Sequence, residues 1–280
     1  MMRRFVSLVL AVLLLLTVLP AGALAFTDLR SLAPAGTFLK PGQPSQITEY
    51  SYKSENISIV INKQRVLNTD VFVADIYVAG IESFRRALSH DQWGANAEAP
   101  VTLAARSNAI LAMTGDYSHL LSKGLVVVNG EVMRKSANAL RDNCLIYPDG
   151  SMVTYKRGKM DVKQVVKQEI WQSFLFGPAL LKTDGSPYDK FSSNIGVANP
   201  RSVMGYFAPG HFCFVLVEGR QTNQKGLALV PLSNFMHEMG CVAAYNLDGG
   251  QSAMLWFNGR LINNPYNGGR ALTDIVYIGE

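Results

Sequence analysis

Four times in this chain a run of strand-forming residues is followed by a glycine-bearing turn and a second such run. A chain punctuated this way folds into antiparallel sheet. The pairs are residues 126–128 and 131–133 about Asn129-Gly130, 144–147 and 151–155 about Pro148-Asp149-Gly150, 202–206 and 212–218 about Ala208-Pro209-Gly210, and 253–257 and 260–262 about Asn258-Gly259. Asn-Gly favours a type I′ turn, whose twist matches that of the strands it joins. Residues 56–66 and 69–78 alternate in character and are rich in β-branched side chains (Ile57, Ile59, Ile61; Val71, Val73, Ile76), so these two runs are expected to pair. A buried strand is expected over residues 109–113.

Helices are fewer. Residues 231–239 place Leu232, Phe235, Met236 and Met239 at i, i+3, i+4 and i+7, with Pro231 in the first turn and Gly240 as the stop. That stripe reads as a face lying on a sheet. Residues 161–172 carry a weaker amphipathic pattern, residues 81–88 read as a short helix and residues 104–108 as a helical turn. The expected class is α+β: mainly antiparallel mixed sheets built from hairpins, with a few packed helices.

The start of the chain bears on its compartment. Arg3 and Arg4 precede an apolar stretch over residues 5–19, then Pro20 and Ala23-Leu24-Ala25, the plan of a secretory signal over residues 1–25 with a mature start at Phe26. The apolar run is shorter than the roughly 20 residues a membrane span needs. Membrane contact is therefore expected only in transit, and the product is expected outside the cytoplasm, secreted or at the cell surface. Residues 26–48, with Pro34, Pro41, Pro44, Gly36 and Gly42, read as a linker, and residues 49–280 as one catalytic domain. The 26 basic and 21 acidic residues give +5, or +3 once Arg3 and Arg4 are removed. So small and evenly spread a charge excludes nucleic acid as the default partner. Cys144, Cys213 and Cys241 are odd in number and lack CxxC spacing, so neither a disulfide framework nor a metal site is expected.

The usual catalytic signatures (GxSxG, HExxH, a Walker loop, a dinucleotide glycine pattern) do not occur. Polar residues at strand ends beside glycine stand out instead. In Asn246-Leu247-Asp248-Gly249-Gly250-Gln251-Ser252 an apolar strand delivers Asn246 and Asp248, and Gly249 and Gly250 either admit a ligand to the backbone or form a tight turn capped by Asp248. Asn199-Pro200-Arg201 and Glu218-Gly219-Arg220 lie at comparable distances on either side of the Ala208-Pro209-Gly210 turn. Arg201, Glu218 and Arg220 are therefore expected to meet at the open end of that hairpin, as a bidentate anion site or as an exposed ion-pair network. Thr114-Gly115-Asp116-Tyr117 is a further strand end that sets glycine beside an acid. Of the histidines, His119 and His211 stay open as site members, but His211 at the start of a strand fits a turn or packing role better.

Taken with Ala112-Met113, Asn129-Gly130-Glu131, Phe176-Gly177-Pro178-Ala179-Leu180 and Ser202, these stretches recur in one order, and the chain over residues 57–278 resembles the phosphodiester glycosidase family. The resemblance implies hydrolysis of a sugar-1-phosphodiester, of the N-acetylglucosamine-1-phosphodiester kind, in exported or cell-surface glycans, releasing free sugar and a phosphomonoester. It implies that Arg201 and Arg220 hold and neutralise the phosphate and that Asp248 or Glu218 is base or nucleophile. Asp116 would bind sugar hydroxyls or orient water, with Thr114, Gly115, Asn199, Asn246, Gly249 and Gly250 lining the substrate. Two positions depart from the family pattern: Thr114 stands where Asn is usual, and Glu218 where Asp is usual. A phosphate leaving group is already a weak base, so such chemistry needs less acid assistance than an ordinary glycoside. No particular cofactor is expected, and a divalent metal stays open. Two alternatives remain at this stage: a surface polysaccharide or teichoic-acid binding module without turnover, and a metal-dependent phosphodiesterase holding a divalent cation on Asp116 and Asp248.

Overall fold

The computed structural model describes residues 24–280, so nearly all of the expected signal segment lies outside the described residues. Among the described residues the strands form four antiparallel sheets. The largest has seven strands in the order Gln46–Ile47, Ser51–Lys53, Ile57–Val66, Thr69–Val78, His211–Val217, Arg201–Ala208 and Ala243–Asn246. A second has five: Arg260–Leu261, Leu255–Phe257, Leu111–Thr114, Asp274–Ile278 and Phe84–Leu88. Met152–Tyr155, Asn143–Ile146 and Gln172–Phe174 form a third sheet, and Val126–Val128 pairs with Glu131–Arg134 in a fourth.

Alternation along the strands explains the layering. In Thr69–Val78, Phe72, Ala74 and Ile76 enter the main core, where they meet Leu111, Met113, Leu255, Phe257, Val276 and Ile278 of the five-stranded sheet. Val71 and Val73 point the other way, into a second core closed by Leu229, Leu232, Phe235 and Met236 of the helix Leu229–Glu238. The helix Pro100–Arg106 covers the far face of the five-stranded sheet, packing Leu103 and Ala104 near Ala112, Ile275 and Tyr277.

The α+β expectation holds, and so do all four hairpins and the pairing of Ile57–Val66 with Thr69–Val78. Asn129 and Gly130 (φ 49° and 83°), like Asn258 and Gly259 (φ 48° and 74°), have the two positive φ values of a type I′ turn. Two helix expectations fail. Residues 81–88 form one 3₁₀ turn, Ile81–Ser83, and then the strand Phe84–Leu88, because pairing with Asp274–Ile278 satisfies this backbone and buries Arg86. The helix expected over residues 161–172 stops after Val162–Val165; the chain then turns so that Val165 and Ile170 enter a small core with Leu125, Val127 and Leu145, and continues as strand Gln172–Phe174.

The segment read as a linker lies against the domain. Leu29 is buried and donates its N–H to Ala79 O, Leu39 donates to Ser54 O, and Gln46–Ile47 joins the large sheet. A single large apolar side chain, Leu29, gives this proline-rich stretch an anchor that composition alone does not show.

Candidate active site

The register of the large sheet assembles the site. Arg201–Ala208 pairs with Ala243–Asn246 with Val203 opposite Asn246, which sets the start of the first strand beside the loop that follows the second. Leu247 N–H donates to Ser202 O, and Gly250 N–H donates to Pro200 O at 3.0 Å, which ties the Asp248 loop to the residues before Arg201. Gly249 is required by this contact: a Cβ there would lie 2.6 Å from Pro200 O.

Asp248 is 8% exposed. Its Oδ1 caps Gly249 N–H, as the turn reading expects, while its Oδ2 accepts from Arg270 Nη2 at 2.8 Å. Asp248 and Arg270 line a cleft of about 130 Å³ with Thr114, Gly115, Tyr117 and Asp274. Arg270 also donates through Nε to Ser252 Oγ. On the other side of the loop the guanidinium of Arg220 lies so close to Gly250 that a Cβ there would be 3.1 Å from it. Arg220 is held by two bonds to Asn199 Oδ1 (3.0 and 2.9 Å) and sits over the ring of Tyr266.

Arg201 is buried, and no carboxylate lies within ion-pair distance of it among the described residues. Its guanidinium donates to the carbonyls of Leu227, Ile195 and Val197 (3.0, 2.6 and 2.6 Å). Burial, and then the charge of Arg220, push it down to about 10, so it keeps its proton near neutrality.

Glu218 does not join the two arginines. Arg201 faces Val217 across the hairpin, and the next residue along a strand points to the opposite face. Its carboxylate accepts Asn264 N–H at 2.6 Å, and burial raises it above the usual glutamate range.

Asp116 is fully buried and accepts the backbone N–H groups of Leu175 (2.8 Å) and Phe176 (2.7 Å). Its own N–H donates to Asp274, which in turn pairs with Arg86 at 2.5 Å. With both its oxygens engaged in this way, and those of Asp248 on Gly249 and Arg270, the two aspartates do not fit as joint ligands of a divalent cation. Among the described residues, no group of three or more His, Cys, Asp and Glu side chains is arranged to hold one.

Gly115 cannot carry a side chain, because a Cβ would lie 2.5 Å from Asp274 Oδ2. Thr114 is buried, its hydroxyl donating to Ser252 O and accepting Met254 N–H. Asn246 donates to Gly177 O, and its buried Oδ1 has no hydrogen-bond partner among the described residues. His211 packs between Tyr77 and Phe207 and bonds Asp75 at 2.7 Å, a packing role far from this loop.

Sequence reasoning missed Arg270 and Asp274. Each left a trace: Arg270 follows the pair Gly268-Gly269 as Asp248 precedes Gly249-Gly250, and Asp274 is an acid opening an otherwise apolar strand.

A family model described as phosphodiester glycosidase matches residues 103–279. The SPbeta prophage-derived uncharacterized protein YomE of Bacillus subtilis (strain 168) is 27% identical over 192 residues, 65% of this chain and 30% of that protein. The N-acetylglucosamine-1-phosphodiester alpha-N-acetylglucosaminidase of Mus musculus is 28% identical over 157 residues, 51% of this chain and 30% of that protein. The chain thus spans under a third of the length of these curated relatives. Among solved structures, the catalytic domain of the zebrafish enzyme of the same name, described as auto-inhibited by its pro-peptide, aligns with a TM-score of 0.63 at 20% identity, over 80% of this chain and 83% of that one. A putative exported protein from Burkholderia pseudomallei aligns with a TM-score of 0.52 at 13% identity, over 75% of this chain and 74% of that one.

Proposed function

The chain belongs to the phosphodiester glycosidase family, and from that premise we propose that it hydrolyses the bond between the anomeric carbon and the phosphate oxygen of a sugar-1-phosphodiester of the N-acetylglucosamine kind. The observation that carries the reading is one largely buried carboxylate, Asp248, bonded to Arg270 at 2.8 Å in a cleft, with the guanidinium of Arg220 against the adjoining Gly250. A carboxylate set among cations is what a reaction needs when an anionic leaving group departs from a carbon that becomes cationic.

In this scheme the half-exposed Arg270 and the exposed Arg220 contact the phosphate, and Arg201 contributes positive charge from behind the loop. The C1–O bond breaks with its electron pair going to the phosphate oxygen. Asp248 either attacks C1 or removes a proton from the attacking water. Addition of one water overall yields a reducing sugar and a phosphomonoester. Asp116 acts indirectly: by accepting two amides it fixes residues 175 and 176, beside Tyr117 at the mouth of the cleft.

The test is product identity combined with one substitution. Incubated with the methyl ester of N-acetylglucosamine-1-phosphate, the protein should release reducing sugar and methyl phosphate. Asp248→Asn should lower kcat by on the order of a hundredfold or more while the melting curve is kept. Release of intact sugar phosphate would instead identify a phosphodiesterase, and a normal rate in Asp248→Asn would remove Asp248 from the chemistry.

A further inference from the structure

A second and larger cleft, about 1010 Å³, adjoins the site. Tyr117 lines both clefts, and Ile195, whose carbonyl holds Arg201, lines the second. The two clefts therefore share a wall at Tyr117.

Four cations line the second cleft, Arg141, Lys156, Arg157 and Lys190, against one carboxylate, Asp142. That carboxylate is already engaged: buried, it accepts from Lys156 Nζ at 2.9 Å and from the amides of Arg157 and Ala179. Arg141 is partly used, donating to Phe176 O. The side chains of Arg157 and Lys190 are exposed and form no ion pair among the described residues. Between the cations stand aromatic rings: Tyr188, with the ammonium of Lys156 4.3 Å from its centroid, and Phe176 and Phe191. Aromatic faces suit the apolar faces of sugar rings, and unpaired cations at intervals suit repeated phosphates. The volume is at the upper end for a compact small-molecule site, so it exceeds what one short alcohol on the phosphate would fill.

We propose that this cleft holds the aglycone beyond the scissile phosphate and that the aglycone is itself anionic, a glycan chain carrying further phosphodiesters. This rests on the reading of the Asp248 site, since the position of the scissile phosphate defines which end of the substrate enters. The exposed pair Arg157 and Lys190 then sets the preference for polymer over monomer and leaves the chemistry untouched.

The experiment compares two substrates at low ionic strength: the methyl ester above, and a synthetic oligomer of three N-acetylglucosamine units joined by phosphodiesters. In wild type the oligomer should have the lower KM, and added salt should erase the difference. Arg157→Gln combined with Lys190→Gln should raise KM for the oligomer about fivefold, from two partly exposed charge contacts, with kcat and the methyl-ester parameters unchanged. An unchanged oligomer KM, or an equal rise on the methyl ester, would overturn the proposal. Calorimetric binding of the oligomer separates the two readings. If neither substrate is cleaved but the double variant loses affinity for the oligomer, the cleft assignment stands and the Asp248 reading falls. Equal affinity of wild type and variant, or equal affinity for an uncharged oligomer of the same length, removes the cleft assignment.

Discussion

At the scale of single residues the site rests on a chain of buried ionisable side chains, Asp116, Asp274 and Arg86. The guanidinium of Arg86 donates twice to Asp274 and once each to Ser173 O and Ser118 Oγ, so each member is fixed by the next. Asp116 could be read from the sequence as an acid beside a strand-end glycine. Its buried role could not, because its partners lie 59 and 60 residues away at Leu175 and Phe176 and 158 residues away at Asp274. Burial, against the pull of Arg86, pushes Asp116 from its ordinary 3.8 up to about 7. Between those values the unfolded chain has released a proton that the folded chain keeps, so the contribution of Asp116 to stability is full below pH 3.8 and is lost as pH rises through about 7. Asp116→Asn has no such proton. Urea unfolding at pH 5 and pH 8 should show wild type losing stability relative to Asp116→Asn between the two. Parallel behaviour would mean that Asp116 stays ionised throughout.

At the scale of elements, what was legible was what is local. The four hairpins about glycine-bearing turns could be read because the two strands and the turn chemistry of each are adjacent in the chain, whereas the short strands Gln46–Ile47 and Ser51–Lys53, which pair with each other and with Ile57–Val66, carry no such turn signal and were not read. The order of those hairpins in the sheets depends on side chains far apart, and there the reading ran out. The same division holds at the site. The sequence brought Arg201 and Glu218 to one hairpin end, but the opposite facing of successive strand residues separates them, and only the pairing with Ala243–Asn246 sets the strand that begins at Arg201 beside the strand that leads into the Asp248 loop. The Asp248 loop is clamped by the approach of Gly249 to Pro200 O, which would be 2.6 Å from a Cβ. Carbon and oxygen cannot sit that close, so Gly249→Ala must displace the loop and break the Gly250 N–H bond to Pro200 O. The expected cost is about 1–3 kcal/mol. Turnover should fall at least tenfold even at temperatures where the variant remains folded. Full activity with a lowered melting temperature would show that the loop can shift without affecting the chemistry.

At the scale of the whole molecule, the two ends of the large sheet do different work. One end carries Arg201 and the Asp248 loop. The other carries the turn at Gly210, about 25 Å away along an eight-residue strand. The residues from Phe26 onward dock at the second end: Leu29 packs against Gly150 and Gly210, where a Cβ would meet its side chain at 2.7 and 3.1 Å, and Phe26 meets Trp171 edge-on at 5.1 Å between centroids. We propose that cleavage after Ala25 during export leaves this docked segment as the start of the mature protein. No helix among the described residues is long and apolar enough to cross a membrane. A segment that fastens the domain far from its site should affect stability and leave catalysis alone. Leu29→Ala removes a side chain that is 2% exposed, at a position on the rim of the core where neighbours can partly close the gap. The cost should be about 2 kcal/mol, at the low end for buried leucines. Thermal melts should record that loss while kcat and KM on the methyl ester of N-acetylglucosamine-1-phosphate match wild type. A fall in kcat without a fall in melting temperature would instead mean that the N-terminal segment communicates with the site through the length of the sheet.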